Sequence, residues 1–255
     1  MTPVKTKKQQ ARKPEIISFA TRLKEDFRLK KPRSQILHAQ MGIQAFTQKL
    51  ADAMQEFGVH KEGFGQKDLL PTGAVLAGLI LEPLKGWKGS CVTACVSRLK
   101  GVRGRRYAYN FLKERVDEFD AHECMVDIYC CEGVKDPYRT LLTMECEAAT
   151  GHGRDLSSSA TSDDCDYLWD LFKLLQMPSP LRIYLSIAKS GMVGVLQKRI
   201  GKLVRNYQPH LGCDEVFSVV FPAKHPLLGE KIWVYRWSGP ESVQETHWFL
   251  SGRPS

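Results

Sequence analysis

Over the second half of the chain, short apolar segments alternate with helical patterns. That alternation limits the fold to an α/β sheet with helices packed against it. Residues 125–131 and 139–147 read as strands joined by a turn at 133–137. Residues 164–175 read as a helix opened by Ser162 and Asp163, with Pro178 and Pro180 just beyond its end. A strand at 181–188, a basic helix at 193–207 and three late strands at 215–221, 231–237 and 246–250 complete the pattern. No internal repeat at solenoid spacing interrupts it.

Upstream, Ile36, Ile43, Phe46, Leu50, Met54 and Phe57 recur at helical spacings and predict an amphipathic helix over 35–57, stopped at Gly58. A loop is expected through Gly63, Gly65, Pro71 and Gly73. Residues 74–84 are apolar throughout, and periodicity fits a buried helix or a strand equally. The organisation expected is a basic arm at 1–35, a helical region at 36–104, an α/β core at 105–210 and C-terminal strands at 211–255 that extend the core. The expected fold is therefore a mixed central sheet flanked by helices, with a basic helical N-terminal region.

A chain of 255 residues can bury a substantial core without covalent staples. Its eight cysteines form no C-x-x-C pair, and Cys130 and Cys131 are adjacent, which suits neither a disulfide framework nor a zinc knuckle. Buried thiols in a reducing, cytoplasmic compartment are the expectation. The longest apolar run, near residues 74–81, is too short to cross a bilayer, so no membrane partner is expected.

The net charge of +9 favours acidic partners, nucleic acid first among them. Basic residues crowd the arm and again residues 85–115, where Trp87, Tyr107, Tyr109 and Phe111 are interleaved with them. Lys88, Arg98, Arg103, Arg105 and Arg106, with Lys198 and Arg199 on the 193–207 helix, are the candidate nucleic-acid contacts. The plain alternative is a solvated helix face, for which the same residues would serve. From residue 114 to 170 the balance turns acidic, as expected if carboxylates there collect cations while the flanks collect phosphates.

Within the strand expected at 139–147, alternate residues share a face. Thr143, Glu145 and Glu147 point one way, and the apolar Leu142, Met144 and Cys146 point toward the core. Asp127 lies between Val126 and Ile128 on the preceding strand. If the two strands pair with their apolar sides together, Asp127 joins the acidic face. Converging carboxylates repel unless a cation, a proton or a basic side chain sits among them, and their oxygens suit hard ions such as Mg²⁺ or Mn²⁺.

The run "MVDIYCCEG", followed by "LLTMECE", the helix "DYLWDLFKLL" and the strand "LRIYLSIA", resembles the core of the PD-(D/E)XK (restriction-endonuclease-like) nucleases over roughly residues 105–190. The resemblance implies a restriction-endonuclease-like core and a Mg²⁺- or Mn²⁺-dependent endonuclease acting on DNA, in defence, repair or mobile-element biology. Carried across by position, it implies that Asp127 and Glu145 hold the ion. Glu147, standing where most members have lysine, would orient or deprotonate the attacking water and offer a further ligand. Lys173 on the following helix would supply the displaced ammonium, and an upstream acid on an expected helix, Glu114 or Glu118, would complete the metal shell.

Other chemistries are weaker fits. His122 beside Cys124 lacks a second ligand pair at zinc spacing, and a cysteine hydrolase built from Cys146 or Cys165 with His152 or His210 has no supporting motif. Glu145 and Glu147 on one strand could not flank a glycosidic bond, and no phosphate-binding G-x-x-x-x-G-K-[ST] loop is present. The reading that stands beside the nuclease is a non-catalytic nucleic-acid-binding or assembly protein with a degenerate nuclease fold. Trp233, Trp237 and Trp248 on the late strands serve as core, as an extension of the sheet, or as a surface for a homodimer or a partner protein.

Overall fold

Alternation along the strands sorts side chains onto two faces of one sheet, and each face is covered by its own helices. The computed structural model describes residues 41–56, 64–86, 91–97, 105–121, 126–133, 139–148, 166–188, 192–211, 215–223, 230–238 and 242–249. The basic arm expected at 1–35 lies outside them. The elements are α1 (Ile43–Glu56), α2 (Gln66–Leu81) with a 3-10 turn at Glu82–Leu84, β1 (Val92–Val96), α3 (Arg105–Arg115), β2 (Glu118–Ala121), β3 (Ile128–Glu132) and β4 (Arg139–Ala148). They continue with α4 (Asp166–Gln176), β5 (Leu181–Ala188), α5 (Val193–Leu211), β6 (Glu215–Pro222), β7 (Lys231–Ser238) and β8 (Ser242–Phe249).

The eight strands form one mixed sheet in the order β2-β1-β3-β4-β5-β6-β7-β8. β1 and β2, β4 and β5, and β5 and β6 run parallel, and the other neighbours run antiparallel. The central parallel strands β5 and β6 are buried along their whole length, as parallel strands with both faces covered must be. On one face Ile128, Met144, Cys146, Ile183, Leu185, Phe217 and Val219 pack against α1, α2 and α3. On the other, Tyr184, Val216, Val220 and Tyr235 pack against Leu171, Leu174 and Leu175 of α4 and Leu196, Ile200 and Val204 of α5. α1 is anchored by Phe46, whose ring stacks on Phe217 at 4.2 Å.

The structure departs from the sequence reading in four places. The loop expected through Pro71 and Gly73 is helix: α2 begins at Gln66, where the Asp68 carboxylate accepts a 2.8 Å hydrogen bond from the Gly65 amide, and it runs through both residues. Gly73 is there for packing, since a Cβ at that position would stand 2.7 Å from Met144 Sδ and 3.0 Å from Cys146 Sγ. The stretch 36–104 is not all helical, because β1 falls within it. Glu118 lies on the edge strand β2 and not on a helix, and Asp127 sits in the bend just before β3 rather than inside a strand. Among the described residues no helix is long and apolar enough to cross a membrane.

Candidate functional site

The register of β3 against β4 builds the site. Ile128 pairs with Met144, so Asp127, one residue earlier, stands across from Glu145 on the antiparallel neighbour. Backbone amides fix both carboxylates: Cys146 N–H donates to Asp127 Oδ2 at 2.9 Å, and Asp127 N–H points at Glu145 Oε2 from 3.4 Å. The Asp127 carbonyl in turn accepts from Ser97 N–H at 2.8 Å, which ties the bend to the end of β1.

Glu145 is buried, with only 3% of its surface exposed, because α4 crosses the acidic face of β4. Its Oε1 faces the Lys173 ammonium of α4 as an ion pair at 3.2 Å. Lys173 is held in turn by Asp170, three residues back on the same helix, at 2.6 Å. Burial, and then the Asp127 carboxylate, push Glu145 up to about 9 against the pull of Lys173. Burial raises Asp127 as well, although the Cys146 amide and a hydrogen bond shared with Glu145 oppose it. For Lys173 burial disfavours the charge, but Asp170 and Glu145 together outweigh it and raise the ammonium above its ordinary value.

The site is therefore an acid pair with an ammonium beside it. Glu147 shares the face of Glu145 but lies one pleat further along β4, about 6.6 Å along the strand. It is half-buried, and among the described residues no three His, Cys, Asp or Glu side chains are gathered closely enough to hold an ion. The three-carboxylate convergence expected from the sequence is thus drawn together as Asp127 and Glu145, with Glu147 beside them and not among them. Neither upstream acid joins: Glu118 accepts a hydrogen bond from Thr93 Oγ1 at 3.1 Å on the edge strand, and Glu114 is exposed on α3. Asp127 and Glu145 offer carboxylate oxygens alone, the donor type a hard ion takes, while Glu145 Oε1 is already met by the Lys173 ammonium.

Two residues that sequence reasoning passed over complete the arrangement. Asp170 could have been found from its D-x-x-K spacing with Lys173 on an amphipathic helix. Arg182, buried within β5, donates from Nε to the carbonyls of Leu174 and Met177 at 3.2 and 3.1 Å and from Nη2 to Met177 at 2.6 Å. It thereby satisfies the C-terminal end of α4 and sets where Lys173 stands.

Of the expected nucleic-acid contacts, Lys88, Arg98 and Arg103 lie outside the described residues. Arg105 and Arg106 occupy the first turn of α3, while Lys198 and Arg199 lie on α5, on the opposite side of the sheet. Cys146 is no nucleophile: its thiol is buried on the α2 side, and burial pushes it well above its ordinary range. Cys165, His122 and His152 lie outside the described residues, as does the side chain of His210. Compared with protein-family models, curated proteins and solved structures, the chain matches none of them.

Proposed function

We propose that the protein is a metal-dependent nuclease that hydrolyses phosphodiester bonds, with DNA as its substrate. One observation carries the reading: two carboxylates are opposed across neighbouring antiparallel strands, Asp127 half-buried and Glu145 buried, with the Lys173 ammonium 3.2 Å from Glu145. The order of strand, strand, helix and parallel strand in β3, β4, α4 and β5 supports it too, being the order that the PD-(D/E)XK resemblance calls for.

In this reading Asp127 and Glu145 are the residues that would hold Mg²⁺ or Mn²⁺, and Glu147 extends the anionic face on the next pleat. The bound ion supplies Lewis-acid polarisation of the scissile phosphate and a lowered pKa for its water. Lys173 offers positive charge where the phosphate gains negative charge, and Asp170 keeps that ammonium aimed at the pair. Glu147 accepts a proton from, or orients, the attacking water.

Incubation of plasmid, single-stranded DNA and RNA with the protein and Mg²⁺ or Mn²⁺ tests the reading. Cleavage is expected to need the ion and to fall about 100-fold or more in Asp127→Asn, Glu145→Gln and Lys173→Met. Ion-independent cleavage, or full activity in Glu145→Gln, refutes it. The second reading, a non-catalytic nucleic-acid-binding protein, draws on the same ion pair: Lys173 already meets the charge of Glu145 without an ion. It predicts salt-sensitive binding that none of these substitutions alters.

A further inference from the structure

A separate cavity of about 610 Å³ opens between α3 and the edge strand β2, within the size range of small-molecule sites. Arg106, Tyr109, Asn110 and Lys113 recur at helical spacing and form one stripe of α3 along its wall, with Arg105 beside them. Phe119 of β2 faces the same space. A stripe of this kind on an isolated helix would be a solvated face, but here the neighbouring strand turns it into one wall of a cleft.

The lining has a definite chemistry. Arg105, Arg106 and Lys113 bring positive charge, and among the described residues no acidic side chain lines the cavity. Strand alternation accounts for that, since Phe119 and Ala121 face the pocket while Glu118 and Asp120 point to the other side of β2. Tyr109 and Phe119 pack at 5.5 Å between ring centroids, and the Tyr109 hydroxyl donates to the Ser97 carbonyl at 2.8 Å, which fixes its ring. The Arg105 guanidinium lies 5.9 Å from the Tyr109 ring. Asn110 adds an amide that can both donate and accept.

We propose that this pocket binds a nucleotide unit, its phosphate held by Arg105, Arg106 and Lys113 and its base placed against Tyr109 and Phe119. The unit comes either from a nucleic-acid strand or from a free nucleotide. The strand source rests on the nuclease reading, and geometry connects the two sites. Ala121 pairs with Val96, Val96 with Ile128 and Ile128 with Met144, so the pocket and the Asp127–Glu145 pair end the same row of the sheet. At about 4.8 Å per strand they stand roughly 10–15 Å apart across the sheet. They occupy opposite faces, the pocket under α3 and the carboxylates under α4, so a strand must pass over the sheet's end to meet both.

The test uses the full chain in EDTA with a fluorescein-labelled oligothymidylate of about twelve nucleotides, and with AMP and inorganic phosphate as competitors. Arg106 and Lys113 are exposed, so the double variant Arg106→Glu/Lys113→Glu is expected to keep the wild-type circular dichroism. It should bind the oligonucleotide at least tenfold more weakly, with a log–log salt slope shallower by about 1.4. Binding that AMP does not displace identifies the strand as the source. Displacement by AMP but not by phosphate, lost in the double variant, identifies the free nucleotide. Equal binding by wild type and double variant, no binding of either probe, or phosphate competing as well as AMP overturns the proposal. A protein that binds but never cleaves counts against the nuclease alone, and one that cleaves while the double variant binds normally counts against the pocket alone.

Discussion

At the scale of single residues, Glu145 concentrates the chemistry, and its place was readable. Alternation of apolar and acidic residues in "LLTMECE" put Met144 and Cys146 in the core and Glu145 on the other face, where the structure has them. What alternation could not supply was the depth of burial, because that depends on α4 crossing the same face. The consequence is measurable in metal-free protein. A carboxyl whose folded pKa is raised binds its proton more tightly when folded, so its contribution is complete below about 4.5 and is lost as pH climbs toward about 9. Asp127, also raised, acts in the same sense, whereas Lys173 titrates above this window. In EDTA the melting temperature is expected to fall by roughly 5–10 °C between pH 5 and pH 9, and to fall distinctly less in Glu145→Gln. Parallel profiles for the two proteins would show that Glu145 is not held in this way.

At the scale of elements, α4 carries Lys173 to the carboxylates, and its position depends on a residue in the next strand. Arg182 is buried and donates to the last carbonyls of α4, a role hidden in the sequence because nothing within "LRIYLSIA" shows which helix end its guanidinium meets. Arg182→Met removes those charge-assisted hydrogen bonds and leaves the carbonyls buried, which should cost about 2–4 kcal/mol. The expected melting temperature is lower by roughly 5–15 °C. A variant as stable as the wild type would mean that α4 is fixed by its leucines alone. Helix α2 gives the complementary lesson. Pro71 and Gly73 read locally as loop residues, but Gly73 is needed where the helix closes over Met144 and Cys146, and that contact between distant segments leaves no local signature.

At the scale of the whole molecule, the central strands and the helices between them were legible because each has a long, clean period. β1 and β2 were not. One is a five-residue run between glycine-rich basic stretches and the other has four residues, so neither offers enough alternation to distinguish it from a loop or a helix end. Their absence from the sequence reading also hid the pocket at that edge of the sheet. The mixed order of strands matters for the proposed function because it sets β3 antiparallel to β4, and that pairing brings Asp127 level with Glu145. Whether this juxtaposition holds an ion is decided most directly by calorimetric titration of the full chain with Mn²⁺ and Mg²⁺ at neutral pH. Saturable heat in the wild type, abolished in both Asp127→Asn and Glu145→Gln while circular dichroism stays unchanged, is the predicted result. A wild type that gives no heat with either ion, or variants that bind as it does, would contradict the metal-dependent nuclease.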